Sequence, residues 1–237
     1  MPHRSMSTME VIADEIQFLR TLVALEGARV VDLGCGNGDF ARKLLSQGRA
    51  ASVDAFEVDA IQHANNLQAP AAPGLRFRAG GAERIALADA SCNLVVMMKS
   101  LHHVPGDLMD GAFAEIRRVL APGGHLYISE PVYDGPFNDI VKLFHDEGVV
   151  RAAAYAAVKR ADGAKVLALV SEHEFMAPLF FRDFADFERR IIQATHSEHV
   201  LTDALRQDVR ERLDAHMTPE GARFVRPMRI DLMRKAA

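Results

Sequence analysis

The feature that most constrains the fold is a run of three alternating glycines, Gly34, Gly36 and Gly38, directly after a short apolar segment. Residues 30–31 are both valine, which is typical of the end of a buried strand, and a helical pattern begins at Phe40. Glycines at such a turn let the backbone bend sharply and approach a ligand that a Cβ atom would keep away. The spacing therefore predicts a ligand-binding strand–loop–helix unit, in preference to a glycine-rich turn that holds no ligand.

Apolar runs and helical periodicity alternate along the first half of the chain. Strands are predicted at 28–33, Ser52–Glu57, Leu75–Arg78, Asn93–Met98 and His125–Ser129, and helices at 40–47, Ala60–Leu67 and around Met109–Leu120. A capping box at Ser7 and Glu10 predicts an earlier helix that stops at Glu26 and Gly27, and residues 121–124 predict a type II turn. The alternation predicts an α/β fold, doubly wound, with a mostly parallel sheet and helices on both faces.

The pattern changes after Glu130. Residues 136–170 are predicted to be mostly helical, and two further helices are predicted at 183–193 and 203–217. A last strand is predicted at Phe224–Met233. We interpret the helical material as a cap over the substrate side of one domain that spans residues 1–237.

Composition excludes several classes of protein. The chain has 237 residues, 49% of them hydrophobic, and a net charge of −4 with a pI near 6.2, so nothing favours binding to nucleic acid or to anionic membranes. No apolar run approaches the roughly 20 residues that a transmembrane helix needs, and the N-terminus does not resemble a signal peptide. The two cysteines are too few for a disulfide framework or a metal cage. These observations predict a cytoplasmic protein, and they leave the oligomeric state open.

The segment Asp32-Leu-Gly-Cys-Gly-Asn-Gly, placed after a strand, resembles the first motif of the class I S-adenosylmethionine-dependent methyltransferases, in particular their type 11-like small-molecule members. The alternative is a dinucleotide-binding loop, with the pattern G-x-G-x-x-G/A. Asp32 and Asp39 argue against it, because their carboxylates would repel a pyrophosphate and attract the ammonium and sulfonium of S-adenosylmethionine. The resemblance spans about residues 28–130 and includes the segment that leads from Glu115 to strand five. It implies a mostly parallel, seven-stranded Rossmann-like sheet.

The resemblance implies a set of cofactor-binding positions at the carboxyl ends of the first four strands. They are Asp32, Gly34, Cys35, Gly36, Gly38, Phe40, Glu57, Val58, Gly81, Ala82, Glu83, Met98 and Lys99. Glu57 is the residue expected to accept hydrogen bonds from the ribose hydroxyls. Asp59 is the alternative, although it is better placed to cap the following helix.

One position departs from the family pattern. Where the family usually has an Asp that accepts a hydrogen bond from the adenine amino group, this chain has Gly81. A backbone carbonyl, Glu83 or a water molecule must then supply the acceptor, and the backbone N–H of Ala82 remains available to the ring. Gly81 in a left-handed conformation would make this loop intolerant of a side chain.

Methyl transfer from a sulfonium is an in-line displacement, for which the protein supplies orientation, exclusion of water and sometimes a base. Histidine suits the role of a base because its ordinary pKa is near 6.5. His102 and His103, after strand four, are the candidate catalytic residues, and the alternative for His103 is that it fixes the loop. Further candidates are Glu130, Tyr133, His145, His173 and His196. A metal site built from His173, Glu174, His196 and His199 is less favoured, because their spacing is irregular.

The function predicted from the sequence is S-adenosylmethionine-dependent methyl transfer to a small molecule, without a metal. The alternatives are an NAD(P)-dependent oxidoreductase and a catalytically silent cofactor-binding protein. We expect the substrate cavity to be bounded by the loops after strands four and five and by Phe137, Phe175 and His196. Residues 136–200 would act as a lid. Phe175, Phe180, Phe181, Phe184 and Phe187 are expected to contribute mostly to the core.

Overall fold

The structure, a computed structural model, describes residues 9–193 and 201–236. Ser7 of the predicted capping box, and the candidates His196 and His199, lie outside these residues. The chain divides into two compact units, which we describe separately. The glycine-loop unit comprises Asp14–Glu130, Val150–His173 and the described part of Arg229–Ala237. The phenylalanine unit comprises the described part of Met1–Ala13 together with Pro131–Val149 and Glu174–Met228.

The strands are β1 (Arg29–Leu33), β2 (Ser52–Glu57), β3 (Leu75–Ala79), β4 (Cys92–Met98), β5 (Leu120–Pro131), β6 (Ala168–Phe181), β7 (Met217–Thr218) and β8 (Gly221–Arg234). The helices are α1 (Glu15–Leu22), α2 (Asp39–Ser46), α3 (Ala60–Gln68), α4 (Met109–Val119), α5 (Pro136–Val141), α6 (Gly148–Gly163), α7 (Phe184–Phe187) and α8 (Asp203–Asp214). A single 3₁₀ turn covers Leu101–His103, and a π-helical turn covers Glu188–Ile192.

The strands form one sheet with the order β3-β2-β1-β4-β5-β8-β6, and β7 pairs with β8. The pairs β1–β2, β2–β3, β1–β4 and β4–β5 are parallel. The chain order of the strands reverses between β1 and β4, and ligands of open α/β sheets bind at the carboxyl ends of the strands at such a point. The predicted doubly wound α/β class is confirmed, and the glycine run directly follows β1.

The core of the glycine-loop unit is built from the apolar runs and stripes that the sequence displays. The inner strands β1 and β4 are almost entirely buried, as strands covered on both faces should be. Helix α4 presents Met109, Phe113 and Ile116 to this core. The Asp59 side chain accepts the N–H groups of Ile61 and Gln62 and so caps α3, as predicted.

The prediction of helical material between strand five and the last strand is wrong for residues 168–181. They form the 14-residue strand β6, which no sequence prediction included. Exposed and half-buried side chains alternate strictly from Ala168 to Glu174, which is the period of a strand. The alternation is hard to recognise because polar residues, such as Ser171 and His173, occupy half-buried positions.

Two other boundaries differ from the prediction. Helix α1 begins at Glu15, because the Asp14 side chain accepts the Ile16 N–H and caps it, and Glu10 lies outside the helix. The Ile12 N–H instead donates to the Met176 carbonyl at 3.0 Å. The predicted turn at 121–124 lies inside β5 as an interruption of its pairing with β4, with Gly123 at φ 74°.

The phenylalanine unit has its own aromatic core. The rings of Phe137, Phe181, Phe187 and Phe224 lie with centroids 5.2–6.4 Å apart. Such separations favour edge-to-face and offset contacts. The expectation that the phenylalanines of this region contribute mostly to the core is confirmed for Phe175, Phe181, Phe184 and Phe187, which are all buried. Across the described residues, no helix combines the length and the apolar character that crossing a bilayer requires.

Candidate functional site

The glycine loop is held by hydrogen bonds from its backbone to the end of β2. The N–H groups of Gly34 and Cys35 both donate to the Phe56 carbonyl, at 3.0 and 2.9 Å. The next N–H, from Gly36, donates to Oε2 of Glu57 at 2.8 Å. Three successive amides are thus fixed by the neighbouring strand, and the loop has a defined shape.

Two of the glycines are needed for different reasons. A Cβ atom at Gly34 would lie 2.5 Å from the Cβ of Ser100, so only glycine lets the loop approach the end of β4 this closely. At Gly36, with φ 53°, a Cβ atom would meet no protein atom within 4 Å. The protein packs against Gly34 and leaves open space at Gly36, which is where a ligand can approach the backbone.

Glu57, the last residue of β2, is buried and accepts three backbone hydrogen bonds. Its Oε1 accepts from Val58 and Asp59 at 2.8 and 2.9 Å, and its Oε2 accepts from Gly36. A carboxylate offers about four lone-pair sites, so Oε2 keeps capacity for a further donor. Glu57 therefore organises the loop, and its predicted bond to a ribose hydroxyl remains a prediction.

Two residues that the sequence analysis missed also support the site. Asn66 on α3 is only 3% exposed, and its Nδ2 donates to the Gly36 carbonyl at 2.7 Å. The Ser100 hydroxyl donates to the Leu33 carbonyl at 2.6 Å and so joins the loop after β4 to the glycine loop. Asn66 lies in a mostly polar stretch of α3, so the sequence gives no signal that it is buried, and Ser100 gave none either.

Asp32 is the most unusual charged group of the site. It is 0% exposed, and neither carboxylate oxygen has a hydrogen-bond partner among the described residues. Burial raises the pKa of this carboxyl from the ordinary 3.8 to about 7, the nearby Lys99 opposes the rise, and Glu57 adds to it. A buried carboxylate without a hydrogen-bond partner favours positive charge beside it, which Lys99 supplies in part.

The loop after β3 shows how the chain accommodates Gly81. The left-handed backbone lies at Gly80, with φ 145°, and Gly81 itself is outside that region. A Cβ atom at Gly81 would lie 2.2 and 2.6 Å from the two carboxylate oxygens of Glu83. The Glu83 carboxylate therefore occupies the space that a side chain at position 81 would fill. Ala82 is buried beside it, while Val58 is 70% exposed.

The two candidates His102 and Glu130 come together at the ends of β4 and β5. Both are buried, with exposed fractions of 4% and 2%, and Nδ1 of His102 contacts Oε2 of Glu130. The Leu101 N–H donates to the other oxygen, Oε1, at 2.9 Å. The ring of His103 is exposed and lies 4.1 Å from that of His102, centroid to centroid.

The other described candidates belong to other segments of the chain. Tyr133 and His145 belong to the phenylalanine unit, where Nε2 of His145 lies 2.8 Å from Oε1 of Glu147. His173 belongs to the glycine-loop unit and sets its ring edge-on to Phe18 at 5.5 Å. Among the described candidates, His102 and Glu130 form the pair that adjoins the glycine loop within one unit.

Comparison with known proteins agrees with this geometry. Residues 30–124 match the family model described as "Methyltransferase domain", which confirms the resemblance to class I methyltransferases predicted from the sequence. The chain is 32% identical over 115 residues to phthiotriol/phenolphthiotriol dimycocerosates methyltransferase 1 of Mycobacterium ulcerans (46% of this chain, 40% of the relative). It is also 32% identical over 116 residues to a fatty-acid O-methyltransferase of Mycolicibacterium smegmatis (47% and 41%).

These sequence matches span about two fifths of each relative's length. Solved structures agree over a longer range: the YcgJ protein of Bacillus subtilis superposes with a TM-score of 0.65 at 16% identity, covering 94% of this chain and 98% of that one. An S-adenosylmethionine-dependent methyltransferase of Mesorhizobium loti gives a TM-score of 0.55 at 17% identity, covering 92% and 96%. At these identities the likeness shows a shared fold.

Proposed function

We propose that this chain, whose residues 30–124 match a methyltransferase domain, transfers a methyl group from S-adenosylmethionine to a small-molecule acceptor. The observation that carries the proposal is the pairing of open space at Gly36 with the buried, unpartnered carboxylate of Asp32. A ligand that lies along the glycine loop and carries positive charge satisfies both features. A pyrophosphate would bring negative charge beside Asp32 and Glu57.

The residues of the glycine-loop unit fit S-adenosylmethionine along its length. Asp32 would attract the cationic amino-acid end, and Glu57 would accept a ribose hydroxyl on Oε2. The exposed Val58 would cover one face of the adenine with apolar surface. Glu83 would accept the hydrogen bond from the adenine amino group, since its carboxylate lies where the family's Asp side chain would be.

When bound, S-adenosylmethionine would supply an electrophilic methyl group and a thioether leaving group. The protein's contribution is then to hold the acceptor in line and to keep water out of the displacement. The glycine loop is already fixed by β2 and α3, so binding requires little reordering of this loop. The relatives named above are, by their names, a phthiotriol/phenolphthiotriol dimycocerosates methyltransferase and a fatty-acid O-methyltransferase, which supports a small-molecule acceptor for this chain.

Thermal unfolding with added ligand tests the cofactor. A ligand present at 100 times its dissociation constant stabilises a protein by about 2.7 kcal/mol, which raises the Tm measurably. We expect S-adenosylmethionine and S-adenosylhomocysteine to raise the Tm, and NAD and NADP to leave it unchanged. An increase in Tm with NAD or NADP, but not with S-adenosylmethionine or S-adenosylhomocysteine, would refute the proposal and favour the oxidoreductase alternative.

Two glycine variants locate the binding site. Gly36→Val should abolish binding of S-adenosylhomocysteine in calorimetry, because the side chain would extend into the open space along the loop. Gly27→Val is the matched control: Gly27 also has a positive φ, 73°, and also has no atom within 4 Å of a Cβ position. Both variants introduce similar backbone strain of about 1–2 kcal/mol. Equal loss of affinity in the two would show that strain, and not occlusion, is responsible.

A further inference from the structure

We propose that Arg118 is a positioning residue for the adenine of the cofactor: it holds the β3–β4 loop, residues 80–91, in one conformation, so that the loop selects adenine over other purines. The inference rests on the proposed function and adds to it the residue that fixes the adenine end of the site. Arg118 would act through the loop, without touching the cofactor. Three features support this role: the hydrogen bonds from α4 to the loop, the geometry of the Arg118 guanidinium, and the anchoring of the loop at its other end.

The β3–β4 loop has no regular secondary structure, so its backbone groups need partners from outside the loop. Two of its carbonyls, those of Ile85 and Leu87, accept from the Arg118 side chain at 2.8 and 2.9 Å. The Ile85 N–H donates to Oε2 of Glu115 at 3.0 Å. The Ala90 N–H donates to the Arg118 carbonyl, also at 3.0 Å. Helix α4 therefore holds the second half of the loop along its length.

The Arg118 guanidinium uses all five of its N–H donors. Nη1 donates to the Leu87 carbonyl at 2.9 Å and to Oδ1 of Asp89 at 2.7 Å. Nη2 donates to the Ile85 carbonyl at 2.8 Å and to Oε2 of Glu115 at 2.9 Å. Nε donates to Oε1 of Glu115 at 2.8 Å. Because the donors form a rigid planar fork, they fix the direction of the loop as well as its distance, and a lysine ammonium cannot reproduce the pattern.

The first half of the loop is fixed at its start and by packing. The Gly80 N–H donates to the Glu57 carbonyl, at the end of β2, at 3.1 Å. Ala82 and Ile85 are 4% and 2% exposed, and both belong to the apolar core to which α4 contributes. Glu83 lies between them and is exposed. The groups proposed to contact adenine, the Ala82 N–H and the Glu83 carboxylate, are thus held between two anchored segments.

A loop fixed in this way provides selectivity. Adenine donates from its amino group, whereas hypoxanthine carries a carbonyl oxygen at the same position and would present a second acceptor to the Glu83 carboxylate. A site built to accept a hydrogen bond rejects an analogue that lacks the donor, provided that the acceptor cannot turn away. The discrimination should therefore depend on Arg118, which prevents the loop from turning.

Hydrogen–deuterium exchange of the ligand-free chain tests the anchoring in the wild type. The amides of Ile85 and Ala90 should exchange slowly although they lie in a loop, since both are bonded to α4. In Arg118→Lys both amides should exchange faster, while those of the inner strand β4 stay protected. Rapid exchange of both amides in the wild type would show that α4 does not hold the loop, and would overturn the proposal.

Calorimetry with S-adenosylhomocysteine and with its hypoxanthine analogue, S-inosylhomocysteine, measures the selectivity. The wild type should bind the adenine form at least about 10-fold more tightly, the lower end for a hydrogen bond to a charged group. In Arg118→Lys the two affinities should become nearly equal. Arg160→Lys is the matched control, because Arg160 lies in the same unit and also gives two N–H groups to a carboxylate, that of Asp110, at 2.9 and 3.2 Å. Its ratio of affinities should equal that of the wild type.

Glu115→Gln is a second variant of the same network and covers the case in which Arg118→Lys does not fold. The amide keeps one acceptor and presents an NH₂ group to a guanidinium that only donates, so the loop should loosen and the ratio should again fall.

An unchanged ratio in a folded Arg118→Lys or Glu115→Gln variant would overturn the positioning role and leave the network a purely structural one. Equal binding of both ligands by the wild type would also overturn it. If the wild type binds neither ligand, the proposed function itself is refuted, whereas the exchange of the Ile85 and Ala90 amides still decides whether α4 holds the loop.

Discussion

Replacing Asp32 by Asn removes a charge that the folded protein buries at high cost. Asp32 is 0% exposed, and its pKa of about 7 exceeds the ordinary 3.8 because burial disfavours the charged form. At 1.36 kcal/mol for each pKa unit, this difference corresponds to about 4 kcal/mol between the two protonation states. Asp32→Asn should therefore raise the free energy of unfolding at about pH 8 by as much as about 4 kcal/mol.

The effect has a definite sign and pH range. A carboxyl whose folded pKa is raised holds its proton more tightly in the folded state. The wild type is then most stable below about pH 4 with respect to this group, and it loses that stability as the pH rises to about 7. The Asn variant has no such loss, so the difference between the two proteins should grow between about pH 4 and pH 7 and then stay constant.

Urea unfolding of both proteins without ligand, at about pH 4 and pH 8, measures the difference in their free energies of unfolding. Equal m-values for the two proteins show that the same unfolding transition is compared. The same variant should bind S-adenosylmethionine more weakly, because the cation loses its carboxylate partner. A gain in stability that is equal at both pH values, or absent at pH 8, would refute the argument that Asp32 is a buried and unpaired charge.

Three further predictions concern other acidic groups. Glu57→Ala should weaken the binding of S-adenosylhomocysteine in calorimetry by about 1.5–3 kcal/mol, because a charged hydrogen-bond acceptor is lost. Asp59→Ala should lower the free energy of unfolding by about 1 kcal/mol, because the cap of α3 is lost, and should leave the affinity unchanged. The reverse pattern would assign the ribose contact to Asp59. Glu83→Ala should weaken binding, and Gly81→Asp should restore it in that background by placing a carboxylate in the space that the Glu83 side chain has left. Unchanged affinity in Glu83→Ala would show that another group accepts the adenine hydrogen bond. Asp231→Asn should raise the free energy of unfolding in urea at high pH but not at low pH, because burial raises the pKa of this fully buried carboxyl. A stabilisation that does not depend on pH would contradict this explanation.

The sequence predicted the first five strands and their helices because each carries a strong local signal. An example is Cys92–Met98, a nearly continuous apolar run that forms an inner strand. The strand β6 lacks such a signal, since its half-buried face carries Ser171 and His173 in place of apolar residues. Tertiary pairing with the rest of the sheet, which no local pattern records, determines its conformation.

The sequence analysis identified many residues of the candidate site, but it did not predict the contacts between them. Asp32, Glu57, His102 and Glu130 all followed from their places at the ends of strands. The bond from Asn66 to Gly36 could not be predicted, because it joins residues 30 positions apart through the packing of α3. The position of Glu83 over Gly81 is likewise a property of the folded loop.

The peptide groups on either side of Gly36 are fixed at both ends, since its N–H is bound by Glu57 and its carbonyl by Asn66. Neither group can turn without breaking a hydrogen bond to a buried side chain. In hydrogen–deuterium exchange, the Gly36 amide should therefore remain protected in the ligand-free protein, unlike a typical exposed loop. A cofactor would then bind to a preformed surface. Its association rate would be limited by diffusion and not by folding of the loop.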